Sequence, residues 1–151
     1  MPLKLNHSIP AYVCAVLIRD YLNELTDKDK EFCKNVLLEY ATLPLKDNYQ
    51  YQIQDGVEAA INTLPLLLKI FPSEKEEIKT ILLLTLFDPY PIGNYKRLLD
   101  YSVEAITNYL WNISFEDAQS IFLSYLLLKP CLLYTSPSPR DLSTSRMPSS
   151  A

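Results

Sequence analysis

Residues 73–89, SEKEEIKTILLLTLFDP, align without a gap with residues 114–130, SFEDAQSIFLSYLLLKP. Each stretch begins with a serine that is followed three residues later by an acid, which is the capping-box pattern of a helix start. Each ends in a proline, which cannot continue a helix. The alignment therefore predicts two equivalent helices. It also predicts that Leu82 and Leu123, which match each other, occupy equivalent buried positions.

Six stretches of the chain, including these two, carry apolar residues at the three-to-four spacing of amphipathic helices. Ser8, Asp27, Asp55 and Asn94 are the predicted caps of the other four. The predicted core face of the first helix is the following stripe: Ile9, Tyr12, Val13, Leu17, Tyr21 and Leu25. No stretch alternates convincingly as a β-strand would. Residues 48–54 are the one candidate, and a polar loop suits them better, so the sequence predicts an all-α protein.

The six helices pair into three hairpins, at about residues 8–44, 55–89 and 94–130. In each pair the second helix ends at a proline. The second helices of the last two hairpins start 46 and 41 residues after the one before, which is near the period of two-helix repeats. An isolated hairpin cannot bury its apolar face, whereas stacked hairpins form a continuous core. We therefore predict three stacked helical hairpins, a HEAT/TPR-like α-solenoid segment.

The composition excludes several classes of function. The net charge is −4 with both signs spread along the chain, so a basic surface for nucleic acid is not expected. Residues 121–134 are apolar but include Lys129 and Pro130, and they are too few to span a membrane. Cys14 and Cys33 lie among apolar residues, where buried thiols are usual. Without a signal-peptide pattern, they indicate the cytoplasm.

The sequence contains no catalytic constellation. It has one histidine, His7, and two glycines. One histidine is too few for the usual zinc ligand sets, and two glycines are too few for a glycine-rich phosphate loop. No nucleophile is paired with a histidine base in the sequence. We therefore expect no catalytic, cofactor-binding or metal-binding residues.

The segment with the most unusual composition is residues 88–97, DPYPIGNYKR, between the second and third hairpins. Tyrosine and arginine are enriched at protein-binding hot spots, and loops between rigid elements often carry function. The candidate protein-binding residues are Tyr90, Asn94, Tyr95, Lys96 and Arg97. The alternative is a turn between repeats whose tyrosines cover the hairpin ends.

Residues 131–151, CLLYTSPSPRDLSTSRMPSSA, form a separate segment. Six of them are serine and three are proline, a composition typical of a disordered linker. Residues 131–141 also resemble a translated reading frame through a transposase sequencing adapter, and residues 145–151 resemble the other end of the same adapter. We therefore predict a disordered, non-native tail, and a natural chain truncated after Pro130.

Three stretches of the chain together resemble the helical-repeat region of large bacterial STAND-type NTPases: DGVEAAINTLPLLL, IKTILLLTLFDPYPIG and SFEDAQSIFLSYLLLKP. The resemblance covers about residues 20–130. Some members of that family sense phage proteins, so it implies a partner-sensing, antiviral role. The nucleotide-binding loop of the family has no counterpart here, and no ATP-site residue is carried over.

Two hypotheses about function follow. The first is a protein-binding α-solenoid segment of a larger cytosolic sensor or scaffold. The second is a helical accessory domain of an enzyme whose catalytic module lies elsewhere. The expected partner is another protein or the remainder of the same chain. The expected self-association surface is the last hairpin, at Phe122 or Tyr125.

The tail should add nothing to stability. A chain ending at Pro130 should unfold within about 2 °C of the full chain, because at this size about 1 kcal/mol shifts the midpoint by about 2–4 °C. Calorimetry of both chains measures this. A clearly lower midpoint after removal of residues 131–151 would show that the tail is part of the folded unit.

Overall fold

The computed structural model describes residues 7–46, 53–88, 91–92 and 96–135. This part of the chain is almost entirely helical. Its α-helices are α1 (Ile9–Asp20), α2 (Asp27–Thr42), α3 (Gln54–Ile70), α4 (Lys75–Leu86), α5 (Leu98–Ala105), α6 (Trp111–Ile113) and α7 (Phe115–Thr135). Short 3₁₀ turns follow α1 and α2 and precede α4. Within these ranges, no helix has the length and hydropathy needed to span a membrane.

A π-helical segment, Ile106–Leu110, joins α5 to α6. α5, the π segment and α6 are therefore one continuous helix, and the prediction of six helices is confirmed. The prediction of an all-α protein is confirmed as well, and the described residues add one very short ladder to the helices. Pro91–Ile92 (β1) and Lys96–Arg97 (β2) form a two-residue antiparallel ladder, with Pro91 opposite Arg97.

Helix α3 lies at the centre of the packing. It contacts α1 and α2 on the N-terminal side of the chain, and α4, α5 and the π segment on the C-terminal side. Its residues Val57, Ile61, Leu64 and Leu67 are fully buried. Helix α7 is more peripheral, and its main contacts are with α4, α6 and the π segment.

The predicted helix cap is confirmed at Ser114 and was wrong at Ser73 and at Asp55. Ser114 begins α7: its hydroxyl accepts from the backbone N–H of Asp117 at 3.4 Å. Ser73 instead lies inside a 3₁₀ turn, Pro72–Glu74, and α4 starts after it without a side-chain cap. Asp55 lies within the first turn of α3, which also has no side-chain cap.

Helix α2 is capped one residue earlier than predicted. Thr26 accepts from the backbone N–H of Asp29 at 3.1 Å, and the Asp29 carboxylate accepts from the N–H of Thr26 at 3.4 Å. Arg97, not the predicted Asn94, precedes α5. Its backbone N–H donates to the Asp100 carboxylate at 2.8 Å.

The core face of α1 is not the predicted stripe. Its buried residues are Ala11, Cys14, Ala15 and Ile18. The large residues at the N-terminal end of the predicted stripe lie outside the core. Ile9, for example, is 64% exposed. The physical reason is that alanine and cysteine allow α1 to approach α2 and α3 closely, which bulkier side chains would prevent.

The predicted equivalence of Leu82 and Leu123 was also wrong. Leu82 is fully buried, whereas Leu123 is 50% exposed. The buried face of α7 carries Ala118 and Ile121, and Phe122 and Tyr125 pack against the core from the same side. Pro130 does not end α7, which continues to Thr135.

Two buried ion clusters connect helices that are distant in sequence. Lys34 of α2 donates to Glu31 at 2.7 Å and to Glu74 before α4. Its ammonium also lies 5.3 Å from the centre of the Phe71 ring. Burial lowers the pKa of Lys34, but the hydrogen bonds to Glu31 and Glu74 outweigh burial and raise it overall.

The second cluster joins α4 to α7. The buried Asp117 carboxylate accepts from Lys75 at 3.1 Å, from Lys79 at 3.4 Å and from the Ser114 hydroxyl at 2.6 Å. Burial raises the pKa of Asp117, but the hydrogen bonds from Ser114 and Lys75 and the two lysine charges outweigh it. The pKa of Asp117 is therefore lower than the ordinary aspartate value.

Truncation at the two aligned leucines should have very different effects. Leu82→Ala opens a cavity and should cost about 2–5 kcal/mol of unfolding free energy. Leu123→Ala removes an exposed side chain and should cost less than about 0.5 kcal/mol. Urea unfolding of both variants measures the difference. Equal losses would contradict the packing of α4 and α7.

Asp117→Asn should destabilise the fold by about 1–3 kcal/mol at pH 7, because it leaves Lys75 and Lys79 without their shared carboxylate. A depressed folded-state pKa contributes stability above the unfolded-state value of about 4, and this contribution is lost as pH falls through the folded-state pKa. The variant and the parent should therefore converge progressively as the pH falls below about 4. Asp20→Asn, in an exposed pair with Arg19, is the control. A gap that persists unchanged in acid would rule out the ion cluster as its cause.

Candidate functional site

A cleft opens between α1, α3 and the end of the π segment. Helix α1 contributes one face at the spacing i, i+3, i+4 and i+7: Tyr12, Ala15, Val16 and Arg19. Helix α3 contributes six residues at the same kind of spacing: Asp55, Glu58, Ala59, Asn62, Thr63 and Leu66. Because residues at these spacings lie on one side of a helix, the cleft is formed by two facing helix surfaces.

The cleft is concave because small residues line its interior. Ala15 and Thr63 are buried, and Ala59 packs partly against the core. The Thr63 hydroxyl donates to the Ala59 carbonyl at 2.6 Å, so its polar atom is satisfied within α3. The volume is about 440 Å³, within the range of about 300–1,000 Å³ usual for ligand sites.

The third wall comes from the π segment and α6. Tyr109 and Ile113 lie there, four residues apart, and Tyr109 is about half exposed. A π-helical turn inside an α-helix adds a residue to the turn and is frequent at functional sites. Here the π-helical turn begins at Ile106 and ends at Leu110, and both of these residues are buried. The turn therefore presents Tyr109 to the cleft while Ile106 and Leu110 stay in the core.

The charge in the cleft is predominantly negative. Asp55 and Glu58 lie on α3. Among the described residues that line the cleft, Arg19 is the one cation, and it pairs with Asp20 at 3.3 Å. Burial raises the pKa of the Tyr12 phenol, and the charges of Asp55 and Glu58 raise it further. The Tyr12 hydroxyl therefore remains protonated at neutral pH and can donate a hydrogen bond.

The lining residues of the cleft can contact a ligand through charge, hydrogen bonds and apolar surface. The cleft presents carboxylates, an amide, phenols and apolar side chains, but none of its lining residues is a cysteine, serine or histidine. In the described parts of the chain, no group of three or more His, Cys, Asp and Glu residues could hold a metal. Cys14 lies behind the cleft wall, where burial and the neighbouring Cys33 raise its pKa to about 12. Such a thiol is unreactive.

The structure does not bring the predicted loop residues together as a site. Tyr90, Asn94 and Tyr95 lie outside the described residues. The backbone of Lys96 pairs with Ile92 in the β-ladder. The Arg97 guanidinium lies 3.3 Å from the Asp100 carboxylate at the start of α5, so it stabilises a helix end.

The sequence contained a signal for the cleft that the core prediction obscured. Tyr12 was placed on the core face of α1, and Asp55 was interpreted as the cap of α3. The sequence signal for the cleft is a set of polar residues on two helix surfaces with alanines beneath them: Tyr12 and Arg19 on α1, and Glu58 and Asn62 on α3. Because the facing helices are about 45 residues apart in sequence, local spacing alone does not pair them.

No family model matches the chain, and a search of the curated proteins gives no match. Function must therefore be inferred from the cleft and from the packing of the helices.

Proposed function

We propose that this chain is a protein-binding segment of stacked helical hairpins and that the cleft binds a partner segment carrying a basic side chain. The observation that carries the proposal is the composition of the cleft walls. They come from α1, α3 and the helix that contains α5 and α6, which are the first helices of the three predicted hairpins. The cleft is thus a surface shared by successive hairpins.

The helix contacts support a stacked arrangement. The first helices contact in order, α1 with α3 and α3 with α5. Within the proposed hairpins, α1 contacts α2, α3 contacts α4, and α6 contacts α7. This order of contacts among the first helices is consistent with a repeat array, and such arrays use the surface formed by successive repeats for binding.

Charge and shape support a basic protein segment as the ligand. Asp55 and Glu58 supply negative charge, and Tyr12 and Tyr109 supply two aromatic surfaces in the same cleft. A lysine or arginine is attracted to both, since carboxylates accept its hydrogen bonds and aromatic faces attract cations. Asn62 can bond to the peptide backbone in either direction because an amide both donates and accepts.

We further propose that the parent protein is a cytosolic bacterial sensor or scaffold, as the resemblance to STAND-type NTPases implies. The unreactive thiols Cys14 and Cys33 are free, which suits a reducing compartment. Sequencing of the full-length gene tests this proposal. A nucleotide-binding module on the same chain supports the sensor, whereas a different catalytic domain supports the enzyme-accessory hypothesis.

A display library of random peptides, panned against the full chain, should enrich sequences with lysine or arginine. The double substitution Asp55→Asn and Glu58→Gln should weaken the best peptide at least ~10-fold, equivalent to ~1.4 kcal/mol. Both changes keep side-chain size, so the fold should be retained. Isothermal calorimetry with one synthetic peptide measures the effect.

The matched control is Glu24→Gln with Glu39→Gln, which removes two exposed carboxylates outside the cleft. This variant should bind as the parent does. Tyr12→Ala should weaken binding without a change in net charge, which separates the aromatic contribution from the electrostatic one. Enrichment of acidic or uncharged peptides, or equal loss in the control, would refute the cleft as a site for basic segments.

A further inference from the structure

Helices α1 and α3 run side by side in the same direction along the cleft. Ser8, which precedes α1, accepts a hydrogen bond at 2.9 Å from the backbone N–H of Gly56 in the first turn of α3. Both helices therefore lead away from a common starting point. Because the lining residues continue to Arg19 on α1 and to Leu66 on α3, the two helices stay beside each other along the cleft. The cleft thus has a distinct start and a distinct end.

The acidic groups of the cleft lie at its start. Asp55 is in the first turn of α3, and Glu58 follows three residues later. Burial raises the pKa of the Tyr12 phenol, and the charges of Asp55 and Glu58 raise it further, which places both carboxylates near the beginning of α1. We call these three residues the acidic end of the cleft. A basic group of a ligand is attracted to this end.

The positive charge of the cleft lies further along. Arg19 is the one cation among the described lining residues, and it is the last but one residue of α1. It lies on the same side of α1 as Tyr12, because seven residues make two helical turns. At a rise of 1.5 Å per residue, the two positions are ~10 Å apart along the helix. A ligand that extends from the acidic end along α1 therefore meets a guanidinium.

The Arg19 guanidinium can accept a second partner. Its Nε and Nη2 atoms donate to the adjacent Asp20 carboxylate at 3.4 and 3.3 Å, whereas strong bonds between charged groups are about 2.7–2.9 Å long. The two side chains are 60% and 51% exposed, and water screens an exposed pair of this kind. A guanidinium has five N–H donors, so a ligand carboxylate can share Arg19 with Asp20 or replace it.

The dimensions of the cleft suit an extended chain. A volume of about 440 Å³ spread over ~10 Å of length leaves a cross-section of ~44 Å². A helix with its side chains is ~10–12 Å across, which corresponds to roughly twice that cross-section. An extended segment therefore fits the cleft better than a helical one.

We propose that the cleft binds an extended segment through two opposite charges, a basic side chain at the acidic end and a carboxylate at Arg19. This proposal rests on the proposed function, because it assumes that the cleft binds a basic segment, and it adds the second charge and the distance between the two. An extended chain rises ~3.3 Å per residue, so the basic and acidic residues are three positions apart. The segment can run in either chain direction, since only the positions of the two charges are fixed.

Panning the same random peptide library against the full chain and against Arg19 variants tests the proposal. The parent should select peptides with an acidic residue three positions from a lysine or arginine. Arg19→Gln should still select the basic residue but no longer the acidic one. Arg19→Glu reverses the charge and should select a second basic residue at the same spacing. Arg19 is exposed, so circular dichroism should show the helix content of the parent in both variants.

Calorimetry with one selected peptide and an analogue carrying glutamine in place of its acidic residue completes a double-mutant cycle. Arg19→Gln should weaken the acidic peptide at least ~10-fold, as expected for a lost hydrogen bond between charged groups. The analogue should bind the parent and the variant equally. Lys46→Gln is the matched control, because it removes an exposed cation that pairs with Glu39 at 3.2 Å outside the cleft. This control should bind both peptides as the parent does.

The selection distinguishes this proposal from the proposed function on which it rests. Basic peptides without an acidic preference, selected equally by the parent and Arg19→Gln, would overturn the second charge and leave the cleft as a site for basic segments. A preference for an acidic residue seven positions from the base would overturn the extended segment, because that spacing covers the same ~10 Å in a helix. If no basic residue is enriched, the proposed function fails, and this proposal fails with it.

Discussion

Helix α3 packs against neighbours on both sides, and its first turn is the point of closest approach. At Gly56 an added Cβ would lie 3.0 Å from the Tyr40 ring and 3.1 Å from the Ser8 backbone. The Gly56 N–H donates to the Ser8 hydroxyl at 2.9 Å, and the Tyr40 hydroxyl donates to the His7 carbonyl at 2.6 Å. This junction fixes the start of α3 against the start of α1 and the end of α2. Each fully buried aliphatic residue along α3 then contributes about 1.5–3 kcal/mol, which is enough to retain Pro65 inside the helix despite its cost of about 3 kcal/mol.

The same close packing produces the cleft. Ser8 is engaged with Gly56 and does not cap α1, so the beginning of α1 is held by its contact with α3. The small residues Ala11, Cys14 and Ala15 face inward, and the bulky residues of α1 therefore have to lie at the edges of the contact or outside it. Tyr12 takes the cleft edge, and Ile9 and Val13 take the opposite, exposed side. One choice of core face on α1 thus sets both the position of Tyr12 in the cleft and the exposure of Ile9 and Val13.

The number and positions of the helices were predictable from the sequence, because apolar spacing and prolines act locally. The faces were less predictable. On α1 the residues with the largest apolar side chains were assigned to the core, whereas close approach to α3 selected the smallest. On α7 the leucines aligned with α4 were assigned to the core, but α7 packs through a different face, which carries Ala118 and Ile121. The cleft escaped prediction for the same reason, since Tyr12 and Glu58 meet only through the packing of α1 on α3. The resemblance of the tail to adapter sequence concerns residues that lie largely outside the described chain.

Helices α4 and α7 do not bury matching faces. Helix α7 instead directs Ala118 and Ile121 inward and leaves a leucine stripe exposed, while α4 buries the matching stripe beneath α5. The Asp117 cluster accounts for how α7 is held in this orientation, since its carboxylate receives both Lys75 and Lys79 of α4. A rotation of α7 that buried the leucines would remove that carboxylate from two lysines and leave them without their partner. The ion cluster therefore favours the orientation of α7 that the structure shows.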